Sequence, residues 1–197
     1  MSDALFDADD GAHTPLSPEE RDGLIPTYIT TRNELNDAEH ANISDADRWA
    51  FTRKRDVLNQ TFLRALHKRM FGKVWRWAGT FSQESNRRIG VDNWRIQVEL
   101  GDLIDTVQYW IAHQTYAPDE IAVRFHHKLT WIHAFPNGNG RHARLAADLL
   151  AASLQQRPFT WGSAGLVGIT SLRDRYVAAL RTADAHDIGP LLAFARS

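Results

Sequence analysis

The sequence contains no cysteine, which excludes disulfide bonds, thiolate metal sites and cysteine nucleophiles. No apolar run reaches the ~20 residues that a membrane helix needs. The N-terminus carries acids at Asp7, Asp9 and Asp10, where a secretory signal would carry basic residues. The formal net charge of -1 gives no basic excess for nucleic acid or anionic lipid. We therefore expect a cytoplasmic protein with no nucleic-acid partner and no membrane partner.

The apolar pattern of the 197 residues is mostly helical, and 43% of them are hydrophobic, as in ordinary globular proteins. We predict an all-α fold, a compact helical bundle with one small β-hairpin flap near residues 81–94. Residues 1–43 are interpreted as an N-terminal arm with further short helices. The predicted helices begin near Ser17, Thr30, Ser44 (one long helix to residue 71), Ile96, Pro118, Leu145, Ser171 and Ile188.

The segment from His133 to Arg144 contains the most informative pattern. Gly138 and Gly140 permit left-handed backbone conformations where a helix begins, so that several N–H groups can point at one anion. Arg141 and Arg144 are three residues apart and lie on one helix face. Two cations at a helix N-terminus oppose its dipole, but a bound polyanion reverses that penalty. The segment therefore predicts a triphosphate site.

Two further residues of this segment suggest chemistry. His133 ends the preceding helix, where a neutral imidazole can take a proton from an attacking hydroxyl, which is worth roughly 100-fold to 10,000-fold in rate. Asn137 offers a carbonyl oxygen to the cation that phosphate transfers usually need. Together they predict transfer of a phosphate-containing group.

The twelve residues from His133 to Arg144 read HAFPNGNGRHAR and resemble the Fic motif, HxFx(D/E)GNGRxxR, departing from it only at Asn137. The segment Trp75-Arg76-Trp77-Ala78-Gly79 resembles the Trp-Ala-Gly segment of the same family. The resemblance covers about residues 57–180 and assigns 44–197 to a Fic-type catalytic domain. The chain also looks like a branch called mobile mystery protein B, on the segments Leu24-Ile25-Pro26, Glu34-Leu35-Asn36 and the Pro-Asn-Gly-Asn-Gly loop.

This resemblance to the Fic/Doc family implies a protein adenylyltransferase that moves AMP from ATP, with Mg²⁺, to a Ser, Thr or Tyr hydroxyl of a target protein. His133 would be the base, and Phe135 would anchor the loop. The nucleotide-binding residues would be Phe135, Asn137, Gly138, Asn139, Gly140, Arg141 and Arg144. Asn137 stands where the family has a carboxylate for Mg²⁺, so weaker metal binding is expected. A regulatory partner protein, as in toxin–antitoxin pairs, and a homodimer are candidate assemblies.

Residues 1–43 would also hold a regulatory helix. Many Fic proteins inhibit themselves through a helix with the pattern (S/T)xxxE(G/N), and Thr30 to Glu34 gives its first five positions, with Leu35 in place of Gly or Asn. Glu34 is thus a candidate inhibitory residue that would pair with Arg144. The alternative interpretation of Glu34 is a solvated helix charge.

Three other functions stay open at this point. The first is a nucleotide-binding regulatory module of little or no activity. The second is a relative that transfers another phosphate-containing group or removes AMP. The third is a histidine metal site drawn from His126, His127, His133 and His142, although adjacent His126 and His127 point to different helix faces.

Overall fold

The computed structural model describes residues 21–84, 89–163 and 169–197. Within these ranges it contains seven α-helices, which confirms the predicted all-α fold, and one short 3-10 turn, Asn93–Arg95. None of the helices is long and apolar enough to cross a bilayer, as far as the described residues go. The helices are α1 (Arg32–Phe51), α2 (Gln60–Phe71), α3 (Ile96–His113), α4 (Pro118–Ile132), α5 (Asn139–Ser153), α6 (Ile169–Asp184) and α7 (Gly189–Arg196).

Helix α1 runs across residues 43 and 44, where the sequence predicted both a helix break and a domain boundary. It begins with a capping box: the Thr31 hydroxyl accepts from the Glu34 N–H, and the Glu34 carboxylate accepts from the Thr31 N–H. The predicted helix break is wrong, because α1 continues through Asn42, whose buried side chain bonds to the end of α2. Its Nδ2 donates to the Arg69 carbonyl, and its Oδ1 accepts from the Lys73 N–H. Asn42 therefore fastens the middle of α1 to the end of α2.

The long helix predicted from Ser44 to residue 71 is two helices, separated by residues 52–59. Asn59 begins the second, because its side chain accepts from the Phe62 N–H at 3.2 Å. Val57 lies buried between them. Apolar residues keep a helical spacing across residues 52–59, so the sequence pattern did not reveal the break between the two helices.

Helices α4 and α5 pack on one another and are joined by the segment that carries the motif. Pro118 occupies the first turn of α4, as predicted. The stripe predicted to face the core is buried: Ile121, Phe125, Leu129 and Ile132. The motif loop is thus supported by two well-packed helices.

The predicted hairpin flap corresponds to two arms, residues 81–84 and 89–92, and its tip lies outside the described residues. Neither arm is a strand where it is described, and the β-type pairing found in the described ranges is the bridge between Leu24 and Trp75. Instead, both arms bond to the chain beside the motif. Ser82 N–H donates to the Ala134 carbonyl at 2.9 Å, and Val91 N–H donates to the Ile132 carbonyl at 3.2 Å. The short helix predicted near Ser17 lies outside the described residues.

Candidate nucleotide site

His133 forms the C-cap of α4 in a left-handed conformation, with φ 54° and ψ 52°. Its N–H donates to the Leu129 carbonyl at 3.1 Å, and the residue is 8% exposed. Gly90 of the second flap arm lies against it: a Cβ added there would stand 2.6 Å from the His133 Cβ. Gly90 itself has φ +95°, so the close approach and the backbone both require glycine. The flap arm therefore packs closely against the Cβ and backbone of His133.

Gly138 is the N-cap of α5 and has φ 78°. A Cβ at this position would meet the Phe71 ring at 2.5 Å, and the Gly138 carbonyl accepts the His142 N–H at 2.9 Å. The predicted left-handed glycine is therefore present at Gly138. Gly140 lies inside α5. A Cβ added to Gly140 would make an ordinary van der Waals contact with the Tyr176 hydroxyl oxygen, at 3.6 Å.

Phe135 and Asn139 hold the loop in shape. The Asn139 Oδ1 accepts from the Phe135 N–H at 2.9 Å, and its Nδ2 donates to the Phe135 carbonyl at 2.7 Å. Both residues are buried. The Asn139 side chain therefore holds the loop in shape. The part of Asn139 that can contact a ligand is its main chain, at the start of α5. The Phe135 ring lies in the core, where it stacks on His67 at 3.8 Å.

Asn137, the one residue that departs from the motif, is half-buried. Its Oδ1 accepts from the Gly138 N–H at 2.5 Å, and its carbonyl faces His67 Nε2 at 3.0 Å. A Mg²⁺ ion at Asn137 would meet an uncharged amide oxygen that already accepts one N–H. No group of three or more His, Asp or Glu side chains suitable for a metal occurs in the described ranges. These donors do not fit a Mg²⁺ ion held by the protein itself.

The two motif arginines line one cavity of about 580 Å³, between α1, α5 and residues 160–163. Arg141 lies over the Phe71 ring at 4.8 Å, and Arg144 lies over the Tyr176 ring at 5.5 Å. The cavity also contains carboxylates, from Asp47 and Asp148. Burial raises the pKa of Asp148 to about 6, against hydrogen bonds from Phe159 and Trp161 that lower it. Both motif arginines therefore line the same cavity.

Glu39, which the sequence analysis did not single out, pairs with a motif arginine. Its Oε2 lies 2.7 Å from Arg141 Nη1, and its Oε1 accepts from Trp75 Nε1 at 2.7 Å. Glu39 is 5% exposed, so this carboxylate is a buried link between α1, the Trp-Ala-Gly segment and the motif. Glu39 and Arg141 are 102 residues apart, so no spacing pattern in the sequence could have revealed this pair.

Glu34, the predicted inhibitory residue, belongs instead to the capping box of α1. Its Oε2 accepts from the N–H groups of Thr30 and Thr31, at 2.8 and 3.0 Å. These bonds lower the pKa of the exposed Glu34 carboxyl. No ion pair joins Glu34 to Arg144 in the part of the chain that the structure describes. The structure therefore corrects the prediction: helix-start N–H groups, not a guanidinium, occupy this carboxylate.

His67 is the second functional residue that sequence reasoning missed. Its Nδ1 accepts from the Gly79 N–H at 3.0 Å, so the ring hydrogen lies on Nε2 and is donated to the Asn137 carbonyl. Burial, and then the neighbouring His142, keep the pKa of His67 well below 6.5. A neutral imidazole in this tautomer connects the Trp-Ala-Gly segment to the motif loop.

The histidine metal site is contradicted by the partners of its members. His126 Nε2 bonds to the Tyr176 hydroxyl, His127 Nε2 to Asp184, and His142 Nε2 to the Leu63 carbonyl. Each of the three rings bonds to a different partner, so they do not form one metal site.

The site thus combines a buried histidine, a helix start at Gly138 and two arginines that line one cavity. The first can move a proton, and the others can bind and stabilise negative charge on phosphate oxygens. This combination suits binding of a nucleotide and transfer of one of its phosphorus-containing groups.

Comparison with known proteins agrees with this geometry. The Fic/DOC family matches residues 57–151, which include the whole motif loop. Fic-1 (residues 134–508) from C. elegans has 22% identity and a TM-score of 0.66; the match covers 89% of this chain and 51% of that one. This chain therefore spans about half the length of that relative. The N-terminal Fic domain of a VirB-translocated Bep effector from Bartonella quintana has 16% identity and a TM-score of 0.70, over 90% of this chain and 91% of that one.

A third similar structure is BepC from Bartonella tribocorum with bound AMPPNP. Its identity is 16% and its TM-score 0.67, over 91% of this chain and 97% of that one. These likenesses show the fold. The sequence-based resemblance to the mobile mystery protein B branch stays a prediction.

Proposed function

Since residues 57–151 of this chain belong to the Fic/DOC family, we propose that the protein transfers AMP from ATP to a Ser, Thr or Tyr hydroxyl of a target protein. The observation that carries the proposal is the position of His133, a buried imidazole at the end of α4, beside the Gly138 turn that begins α5. The AMPPNP bound to the similarly folded BepC supports a nucleotide as the donor.

In this reaction the target hydroxyl oxygen attacks the α-phosphorus of ATP. His133 takes the hydroxyl proton, the bond between the α-phosphorus and the β-bridging oxygen breaks, and pyrophosphate leaves. General-base help contributes roughly 100-fold to 10,000-fold. The main-chain N–H groups at the start of α5, together with Arg141 and Arg144, stabilise the charge on the phosphate oxygens.

Mg²⁺ enters the proposal only as part of the Mg·ATP substrate. The neutral Asn137 oxygen, engaged by the Gly138 N–H, leaves the phosphates as the principal ligands of the ion. A regulatory partner protein and a homodimer remain proposals that the family suggests.

The neutral Asn137 also favours a second candidate, a module that binds nucleotide without transferring any part of it. Binding and transfer are separable: the main-chain N–H groups at the start of α5 and the two arginines serve binding, whereas His133 is needed only for transfer. A third outcome is transfer of a different phosphate-containing group, which the position of the label distinguishes, or removal of AMP, which would appear as loss of α-label from a protein that already carries it.

The test incubates the purified chain and a cell lysate with ATP labelled at the α- or the γ-phosphate. His133→Ala is the loss-of-function variant, and His113→Ala, on the exposed end of α3, is the matched control. We expect α-label on protein with the wild type and with the control, and at least a 100-fold loss with His133→Ala. Label transfer that persists in His133→Ala would contradict the mechanism. Binding without transfer would favour the second candidate, and γ-label on protein that is lost with His133→Ala would identify a phosphotransferase.

A further inference from the structure

Tyr176 of α6 packs beside Gly140 and lies outside the segment that the family matches. Its hydroxyl oxygen is 3.6 Å from the position that a Gly140 Cβ would take. The same oxygen lies 3.1 Å from Nε2 of His126, and the Arg144 guanidinium lies over the Tyr176 ring. A phosphate seated at the first turn of α5 and bound by Arg144 would therefore come within reach of this hydroxyl.

His126 determines which way the hydrogen between these two residues points. The ring is fully buried, and its Nδ1 has no hydrogen-bond partner within the described ranges. A buried N–H without an acceptor is rarer than a buried acceptor without a donor. The hydrogen of the neutral ring is thus best placed on Nε2, where it is donated to the Tyr176 oxygen. Burial, the largest cause, and then Arg144 keep the pKa of His126 well below 6.5, so the ring is neutral.

The hydroxyl hydrogen of Tyr176 is then left to serve another acceptor. Thr130 lies beside Tyr176, but the Thr130 hydroxyl donates its own hydrogen to the His126 carbonyl at 2.9 Å. Thr130 can therefore only accept from Tyr176. A hydrogen bond to an ionised oxygen is roughly twice as strong as one between neutral groups. A phosphate at Gly140 would thus take the Tyr176 hydrogen away from Thr130.

We infer that Tyr176 binds the phosphates of the nucleotide through its hydroxyl group and that His126 is a positioning residue that directs this hydroxyl. The inference rests on the proposed function, because it requires a nucleotide phosphate at the motif loop. Burial raises the pKa of Tyr176, which therefore stays a donor at neutral pH.

The first experiment measures the Kd of ADP and of pyrophosphate by calorimetry for the wild type and Tyr176→Phe. Tyr109→Phe, on the exposed surface of α3, is the matched control. We expect Tyr176→Phe to weaken both ligands by the same factor, about tenfold, because both present phosphate oxygens. The control should be unchanged. Unaltered affinity in Tyr176→Phe, or a loss confined to ADP, would overturn the inference. A wild type that binds neither ligand would remove the proposed function together with it.

The second experiment separates positioning from packing. His126→Gln keeps an N–H donor, whereas His126→Leu keeps only bulk, so we expect ADP binding to be largely retained by the first and weakened about tenfold by the second. In a Tyr176→Phe background the two His126 variants should bind ADP equally, because the effect of His126 passes through Tyr176. Melting curves check folding. A loss in His126→Leu of the same size with and without the Tyr176 hydroxyl would show a structural role only.

Discussion

Oε2 of Glu39 lies 2.7 Å from Nη1 of Arg141, across 102 residues of sequence. Glu39 belongs to α1, outside the segment that the Fic/DOC family matches, and Arg141 belongs to the motif itself. This ion pair offsets one of the two positive charges that the motif arginines bring to the cavity. It also fixes the Arg141 side chain at one of its donors and leaves the others for a ligand.

We predict that this pair contributes to stability more than a surface pair does. Glu39→Gln keeps an acceptor for Trp75 and removes the charge, so we expect it to lower the free energy of unfolding by about 1 to 2 kcal/mol. A double-mutant cycle with Arg141→Gln should give a coupling of about 1 to 2 kcal/mol in urea unfolding. The Glu120–Arg124 pair, one turn apart on α4, is the control and should give about 0.5 kcal/mol or less. Equal coupling in the two pairs would show that burial of Glu39 adds nothing.

Gly90→Ala tests the contact between the flap arm and His133. The added Cβ would lie 2.6 Å from the His133 Cβ, on a backbone with φ +95°. We expect a loss of about 1 to 3 kcal/mol in unfolding free energy and about 100-fold in transfer rate, because His133 or the arm must move.

Gly101→Ala, inside α3, is the matched control for this variant. The nearest neighbour of its added Cβ is the Gln60 side chain at 3.5 Å, so alanine should gain up to about 1 kcal/mol in helix stability. Thermal melting and α-labelled ATP measure both variants. A Gly90→Ala protein with the wild-type transfer rate would show that the arm does not position His133.

The sequence could predict the parts of the site that are local. Pro118, the buried stripe of α4 and the glycine turn at Gly138 each follow from spacing or backbone chemistry within one segment. The break between α1 and α2 escaped prediction because apolar residues continue across it, and only the Asn59 cap marks the new helix.

The side chains that connect distant segments could not be predicted in this way. His67 bonds to Asn137, 70 residues away, and Glu39 bonds to Arg141. Neither His67 nor Glu39 belongs to a pattern in its own segment, since each depends on how α1, α2 and α5 pack. Glu34 illustrates the opposite error: a local pattern suggested a distant partner, and the carboxylate serves a local cap.

Asn137→Asp should increase the dependence of nucleotide binding on Mg²⁺. A carboxylate has two oxygens, so one can accept from the Gly138 N–H while the other binds the ion with a negative charge. We expect the Mg²⁺ concentration that half-saturates ADP binding to fall, and α-label transfer to rise. Asn36→Asp, exposed on α1, controls for the added charge alone. An unchanged Mg²⁺ titration in Asn137→Asp would show that the ion is held elsewhere.

The stability of the protein should fall as the pH drops below 6.5, because three buried histidines are neutral in the folded state. Burial is the main cause that lowers their pKa values: His142 to about 4, and His67 and His126 well below 6.5. Below pH 6.5 the unfolded chain binds protons that the folded chain does not, so stability is complete above that pH and is lost as the pH falls. Each histidine contributes at most about 1.4 kcal/mol per pH unit.

Asp148 acts in the opposite direction over part of this range. Its folded pKa is about 6, against an ordinary value of 3.8, so its protonated form stabilises the fold at low pH and that contribution is lost as the pH rises through 6. Three histidines outweigh one aspartate, so urea unfolding at pH 7.5, 6.5 and 5.5 should show falling stability. Asp148→Asn keeps an acceptor for the Phe159 N–H and removes the proton that Asp148 binds as the pH falls. The free energy of unfolding should then fall more steeply between pH 6 and 5, by up to about 1.4 kcal/mol per pH unit. Stability that stays level down to pH 5.5 would mean that the buried rings can be protonated without unfolding.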